Sequence, residues 1–349
     1  MGYGGSIPGS NVQIYPTEYD ARIWLKGDGT TDNAALFTQM ISNLPDYARV
    51  IFPGGGTYTI SSSITITKPI IIDFNNATIK GTSSITTLID VQANNVIIQN
   101  GMLDLNLIAS NGIKCTSTSS AYRSKLIVDN LTIKNVKLSA AADSTGGIYV
   151  TYCNGVYISR YNFIDMNNST TNASDSTAAL AAIRAISVND LFIDKVKMTN
   201  VGIGVSIFGY DESNPSTNIR FTDISMTTVR NNGYYIQNYT TNVTIRGGKI
   251  DAVTDNGIVI STYSNYSTGV TQSMININGI NFANTAGRAI MLRKGSGIEI
   301  SGCLFQSCGG CISIITQEHQ LLEHPKNEEG GAAKLCSFAT PPFLFINTC

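Results

Sequence analysis

A right-handed parallel β-helix is the fold this sequence predicts, on three observations. Short segments of alternating apolar residues recur along the chain, each repeat holds three such segments, and one amphipathic helical stretch precedes them where a solenoid needs a cap. An all-β solenoid with an N-terminal capping helix is the architecture expected.

The repeat comes first. Segments 95–103, 130–138, 155–163, 190–198, 218–226, 242–250, 275–282 and 298–305 share one pattern, and the matched residues are Ile98, Ile133, Ile158, Ile193, Phe221, Ile245, Ile277 and Ile300. Within each unit apolar residues alternate, two residues make a corner, and alternation resumes. The second corner residue is Asn100, Asn135, Gly247, Gly279 or Gly302 in five units, the types that tolerate a left-handed backbone. A third strand follows at 147–150, 204–207, 233–236, 257–260 and 289–292. A lone coil buries too little to fold, so stacking is required and the open end needs a cover.

That cover is predicted over Asn33 to Leu44, with Leu36, Phe37, Met40, Ile41 and Leu44 on one face and Asp32 or Thr31 as N-cap. The chain divides into an extension at 1–19, a cap at 20–60, the β-helix at 61–316 and an anomalous tail at 317–349, where the repeat stops. The tail reads equally as a C-terminal cap, an oligomerisation segment or foreign sequence. Two insertions, 167–182 and 209–217, project from the solenoid, where binding chemistry tends to sit.

Composition excludes several functions. With 23 basic against 24 acidic residues and no basic block, a nucleic-acid partner is not expected. No apolar run reaches the roughly 20 residues that span a bilayer, and residues 1–10 lack the features of a signal peptide. Seven cysteines without regular spacing argue against a disulfide framework. Cys303, Cys308 and Cys311 read as core thiols, the register setting Cys303 with Val136 and Ile280, and Cys308 with Val201 and Val229. Both histidines, His319 and His324, fall in the tail, so neither a metal site nor a Ser-His-Asp triad is expected.

Carboxylates remain for chemistry. Glycosidases use paired acids about 5 to 9.5 Å apart, and a solenoid with rungs ~4.8 Å apart supplies such spacings. Asp211, Glu212 and Asp255 are the catalytic candidates as acid, base or nucleophile, flanking the third strand. Tyr210, Tyr235, Tyr239, Tyr263, Arg230 and Asp251 are the candidates for substrate binding, the tyrosines as stacking platforms for sugar rings. Tyr149 and Tyr235 are expected to point outward; Arg184, Arg230, Arg288 and Arg293 are expected either to hold acidic sugars or to stand solvated, with Arg184 or Arg230 available as the base of a lyase.

The stretch Lys26-Gly-Asp-Gly-Thr-Thr-Asp-Asn-Ala-Ala-Leu36, followed by Val50-Ile-Phe-Pro-Gly-Gly-Gly-Thr-Tyr-Thr-Ile60, resembles the N-terminal cap of the pectate-lyase-like superfamily, particularly phage tailspike and tail-fibre depolymerases. The resemblance, with the coils, covers roughly residues 20–316. It implies a homotrimer in a virion tail or outside the cell, near other phage tail proteins. Such a protein binds and depolymerises a bacterial surface polysaccharide, glycoside hydrolysis being expected ahead of β-elimination, with no cofactor. The alternative is a non-catalytic adhesin or structural tail component. Asp28 and Asp32 of the motif read as turn and cap residues.

Overall fold

The computed structural model describes residues 16–83, 85–137, 146–165, 181–261, 272–293 and 295–314, with the backbone of the strands Gly5–Ser6, Gln13–Ile14 and Leu344–Asn347. From Glu18 onward the strands stack in parallel into three long faces. The first sheet follows Ile72, Ile98, Val128, Ile158, Ile193, Phe221, Ile245, Ile277 and Ile300. The second follows Ile79, Leu103, Ile133, Phe163, Met198, Met226, Ile250 and Phe282. The third follows Ile64, Ile89, Ile113, Ile148, Ile183, Val205, Tyr234, Ile258 and Ile290. All of these side chains lie in one buried core. The chain is a parallel β-helix, and crossovers between parallel strands take the right hand.

One unit sits in a different register from the one its sequence suggests. Val128, not Ile133, pairs with Ile98 and Ile158, so both steps are 30 residues. Ile133 belongs to the second sheet beside Leu103 and Phe163. The corner there is Asn130 (φ 49°) rather than Asn135. Segments 126–128 and 131–133 both alternate and both precede an Asn by two residues, so the pattern fits twice; only stacking chooses. Cys303 consequently shares its column with Ile280 and Leu131, and not with Val136.

The left-handed corner recurs on every such rung: Asn100 (φ 60°), Arg160 (51°), Lys195 (52°), Asp223 (53°), Gly247 (67°), Gly279 (67°) and Gly302 (60°). The third sheet opens with a column of small residues, Gly112, Gly147, Ala182, Gly204, Gly233, Gly257 and Ala289. At Gly147 a Cβ would lie 2.3 Å from Phe163 Cε1, so the large second-sheet side chain occupies the room a third-sheet side chain would take.

The capping helix, Ala34–Asn43, stands where the first rung would place its third strand. It buries Ala34, Phe37, Met40 and Ile41 and packs on Ile64–Ile66. Its N-cap is Asn33, which corrects the expected Asp32 or Thr31. Asn33 instead turns its amide into the cap, bonding Lys26 N and Lys26 O at 2.8 and 3.0 Å. Asp32 Oδ1 accepts from Ala34 N at 3.1 Å and from Ser61 N at 3.0 Å, joining helix to solenoid. The tail returns to the fold: Leu344–Asn347 pairs in parallel with Ser296–Ser301, adding a rung to the first sheet.

Candidate functional site

Parallel register builds a row of polar side chains along the outer face of the third sheet. Asp90 pairs with Lys114, Lys114 with Tyr149, Tyr149 with Arg184, Arg184 with Ser206 and Ser206 with Tyr235. The inward neighbours Ile148, Val150, Ile183, Ala185, Val205 and Ile207 are fully buried, and strict alternation turns the row outward. After Tyr235 the row becomes apolar at Val259 and Met291.

Between Tyr149 and Tyr235 the surface sinks into a cleft of about 360 Å³. Tyr149, Thr151, Arg184, Ile186, Ile203, Ser206, Phe208 and Tyr235 come from the sheet; Tyr152, Gly209, Tyr210, Gln237 and Asn238 come from its downstream edge. Arg184 is 4% exposed and Ser206 1% exposed. The described lining carries one full charge, the Arg184 guanidinium, and four phenols. Among the described residues Thr151 Oγ1 and Ser206 Oγ are buried without a hydrogen-bond partner, the condition of hydroxyls completed by solvent or ligand.

The downstream wall is held by hydrogen bonds. Ser187 Oγ accepts from Tyr210 N at 3.0 Å and donates to Asn214 O at 2.7 Å. Gly209 N donates to Asn238 O at 2.7 Å; a Cβ on Gly209 would lie 2.6 Å from Tyr239 O, so the two coils approach backbone to backbone. Tyr122 OH bonds Asn214 Oδ1 at 3.4 Å, and the Tyr122 ring meets Tyr152 edge-on with centroids 5.5 Å apart. Burial pushes the Tyr152 phenol up, with Tyr210 and Asp211 adding to it, so Tyr152 stays protonated as a donor.

Among the described residues the candidate carboxylates Asp211, Glu212 and Asp255 do not gather here. Asp211 Oδ1 closes its own turn, accepting from Ser213 N, Asn214 N and Asn214 Nδ2 at 2.9, 2.9 and 2.8 Å, and Glu212 beside it is exposed. Asp255 precedes its third-sheet strand, Ile258–Ile260, whereas Asp211 follows Ile203–Phe208, so the two flank opposite edges of the sheet. Burial pushes the Asp255 carboxyl up against the pull of Arg293 and Arg288.

Of the residues expected to bind substrate, Tyr210 and Tyr235 line the cleft, Tyr210 at 55% exposure. Tyr239 supports Gly209 from the next rung and is not part of the lining. Arg230 lies at the upstream edge and donates to Asn200 Oδ1 at 2.7 Å. Asp251 is on the second sheet, paired with Lys249 Nζ at 2.6 Å and with Asn284 Nδ2 at 2.9 Å. Tyr263 falls outside the described residues. Ser206, Thr151 and Gln237 were not expected; aligning the third strands marks Ser206 as outward beside Tyr235, a signal present in the repeat.

The family model for rhamnogalacturonase A/epimerase, pectate lyase-like, matches residues 23–259. Among solved structures, the A-module of the mannuronan C-5 epimerase AlgE6 from Azotobacter vinelandii aligns at TM-score 0.59 and 12% identity, over 86% of this chain and 94% of that one. A hyperthermoactive exopolygalacturonase from Thermotoga maritima aligns at 0.54 and 13%, over 90% and 92%. PfbA, a surface adhesin of Streptococcus pneumoniae, aligns at 0.52 and 12%, over 86% and 89%. These likenesses are of fold. No curated protein matches the sequence.

Proposed function

The chain belongs to the rhamnogalacturonase A/epimerase, pectate lyase-like family, and on that footing we propose that it binds an acidic bacterial surface polysaccharide in the Tyr149–Tyr235 cleft and acts on it there. The observation that carries this reading is Arg184, a buried guanidinium set between Tyr149 and Ser206 and ringed by phenols. A planar fork of donors suits a sugar carboxylate, and tyrosine faces suit the pyranose rings on either side. The names of a mannuronan epimerase and an exopolygalacturonase among the similar structures are in keeping with a polyuronate.

The chemistry that fits these groups is proton transfer beside the carboxylate. A guanidinium paired with the carboxylate acidifies the adjacent C–H, whose proton passes to a solvent base in the cleft; the electron pair forms the new C=C bond as the neighbouring C–O bond breaks, and a protonated Tyr152 supplies the leaving oxygen with a proton. Two-carboxylate hydrolysis, expected from sequence, would draw on Asp211 and Glu212 at the cleft's edge. The virion-tail setting and the homotrimer implied by the cap motif belong to the same proposal, the latter checked by light scattering on the purified chain.

The deciding experiment incubates the protein with pectate, alginate and acidic capsular polysaccharides. Expected are new reducing ends together with the absorbance of an unsaturated uronate. Reducing ends without that absorbance return the reaction to hydrolysis. Binding without turnover makes the protein an adhesin. If no acidic glycan binds, the proposal is wrong.

A further inference from the structure

Behind the cleft wall, inside the solenoid, two thiols meet. Cys115 ends the inward face of Asn111–Thr116, and Cys153 lies on the next rung in Gly146–Ser159. Their strands pair with Cys115 opposite Val150. Three residues on, after Tyr152 takes a left-handed backbone (φ 53°), the chain swings Cys153 back toward the core. The sulfurs stand 3.5 Å apart, and the two residues are 1% and 2% exposed. The other described cysteines, Cys303, Cys308 and Cys311, are on the last rungs.

We propose that Cys115 and Cys153 are the site of an intrachain disulfide that forms when the chain folds in an oxidising medium and fixes the wall of the cleft. A disulfide needs sulfurs at about 2.05 Å, so from 3.5 Å the two must close on each other. The bond would tie the third-sheet strand Asn111–Thr116 to the stretch of the next rung that follows Thr151 and Tyr152, which line the cleft. The reaction is exchange with a small disulfide such as oxidised glutathione. One cysteine thiolate attacks it, forming a mixed disulfide and releasing one glutathione thiol; the second displaces the other glutathione, and the two electrons lost by the protein reduce the glutathione pair.

The hydrogen bond to Cys115 and burial push the Cys153 thiol up, so thiolate is scarce in the folded molecule. Exchange therefore belongs to folding, before the rungs close. The cross-link shortens a long loop of the unfolded chain and favours the native state. This inference does not depend on which glycan is bound.

The test refolds the full chain from denaturant in a buffer of reduced and oxidised glutathione, and in parallel with excess reductant. Free thiols are then alkylated in denaturant, and the digest is mapped by mass spectrometry. Expected are a cross-linked peptide joining Cys115 to Cys153 and a melting temperature several degrees above that of the reduced sample. The double variant Cys115→Ala, Cys153→Ala should melt alike from both buffers. Recovery of both cysteines as alkylated thiols from the oxidising sample, or of Cys115 joined to a different cysteine, overturns the proposal. The peptide map decides the matter even if the variant fails to fold.

Discussion

Asp211 Oδ1 accepts two hydrogen bonds from Asn214, one from the backbone N–H at 2.9 Å and one from Nδ2 at 2.8 Å. Asn214 in turn reaches Tyr122, so the carboxylate fixes the turn that carries Tyr210. Asp211→Ala should cost about 1–2 kcal/mol of stability through these lost bonds and weaken glycan binding. Asp211→Asn keeps the acceptor and should keep both. Thermal melts and turnover measured together check this; an Asn variant that melts normally but has lost turnover would make Asp211 an acid or base.

Arg184 and Arg230 are both candidates for holding an acidic sugar, and the fold separates them. Arg184 lines the cleft, while Arg230 lies at the upstream edge on Asn200. Arg184→Gln should weaken binding of oligogalacturonate by about tenfold or more, the equivalent of ~1.4 kcal/mol. Arg230→Gln should change it by less than about twofold. Titration calorimetry on both variants, with circular dichroism to confirm the β-fold, supplies the comparison; equal losses would remove Arg184 from its role.

Two aspartates should give opposite responses to pH. Burial alone would push Asp73 up, but bonds from Arg49, Asn100, Gln99 and the Asn75 N–H outweigh it and hold its carboxyl low. A depressed folded-state pKa contributes stability above the unfolded value, about 4, and loses it as pH falls through the folded one. Asp73→Asn should therefore lower the melting temperature at neutral pH, the deficit closing in acid. Asp255 is raised by burial, so it favours the folded state at low pH and loses that contribution as pH rises through its folded pKa. Asp255→Asn should equal the wild type in acid and exceed it at neutral pH. Melting curves from acid to neutral pH read both signs.

Gly147 tests the packing between sheets. Its Cβ would meet Phe163 Cε1 at 2.3 Å and Ala182 O at 2.8 Å. Gly147→Ala should destabilise by about 1–3 kcal/mol, and Phe163→Leu in the same chain should recover part of it. Denaturant melts of the single and double variants measure the coupling; simple additivity would contradict the contact.

The repeat made most of this fold legible. Alternation places Ile98, Ile193 and Ile245 inside because a strand has a period of two, and Asn or Gly at the corner declares the left-handed turn. Outward Tyr235 and the capping helix were readable on the same grounds. The unit at 126–134 was misread because its local pattern admits two registers differing by five residues, and nothing within the unit breaks the tie. Arg184 was one of four arginines with no local mark to set it apart, and Cys115 and Cys153 gave no hint of meeting.

The amino-acid order alone determined that this chain winds as a solenoid, since each coil carries its own apolar face, corner and strand count. Stacking alone decided which coils align, and with that which outward side chains become neighbours. Tyr149, Arg184, Ser206 and Tyr235 are far apart in sequence and form one row because parallel hydrogen bonding sets one rung against the next. That pairing is a property of two strands together, so neither strand's sequence contains it.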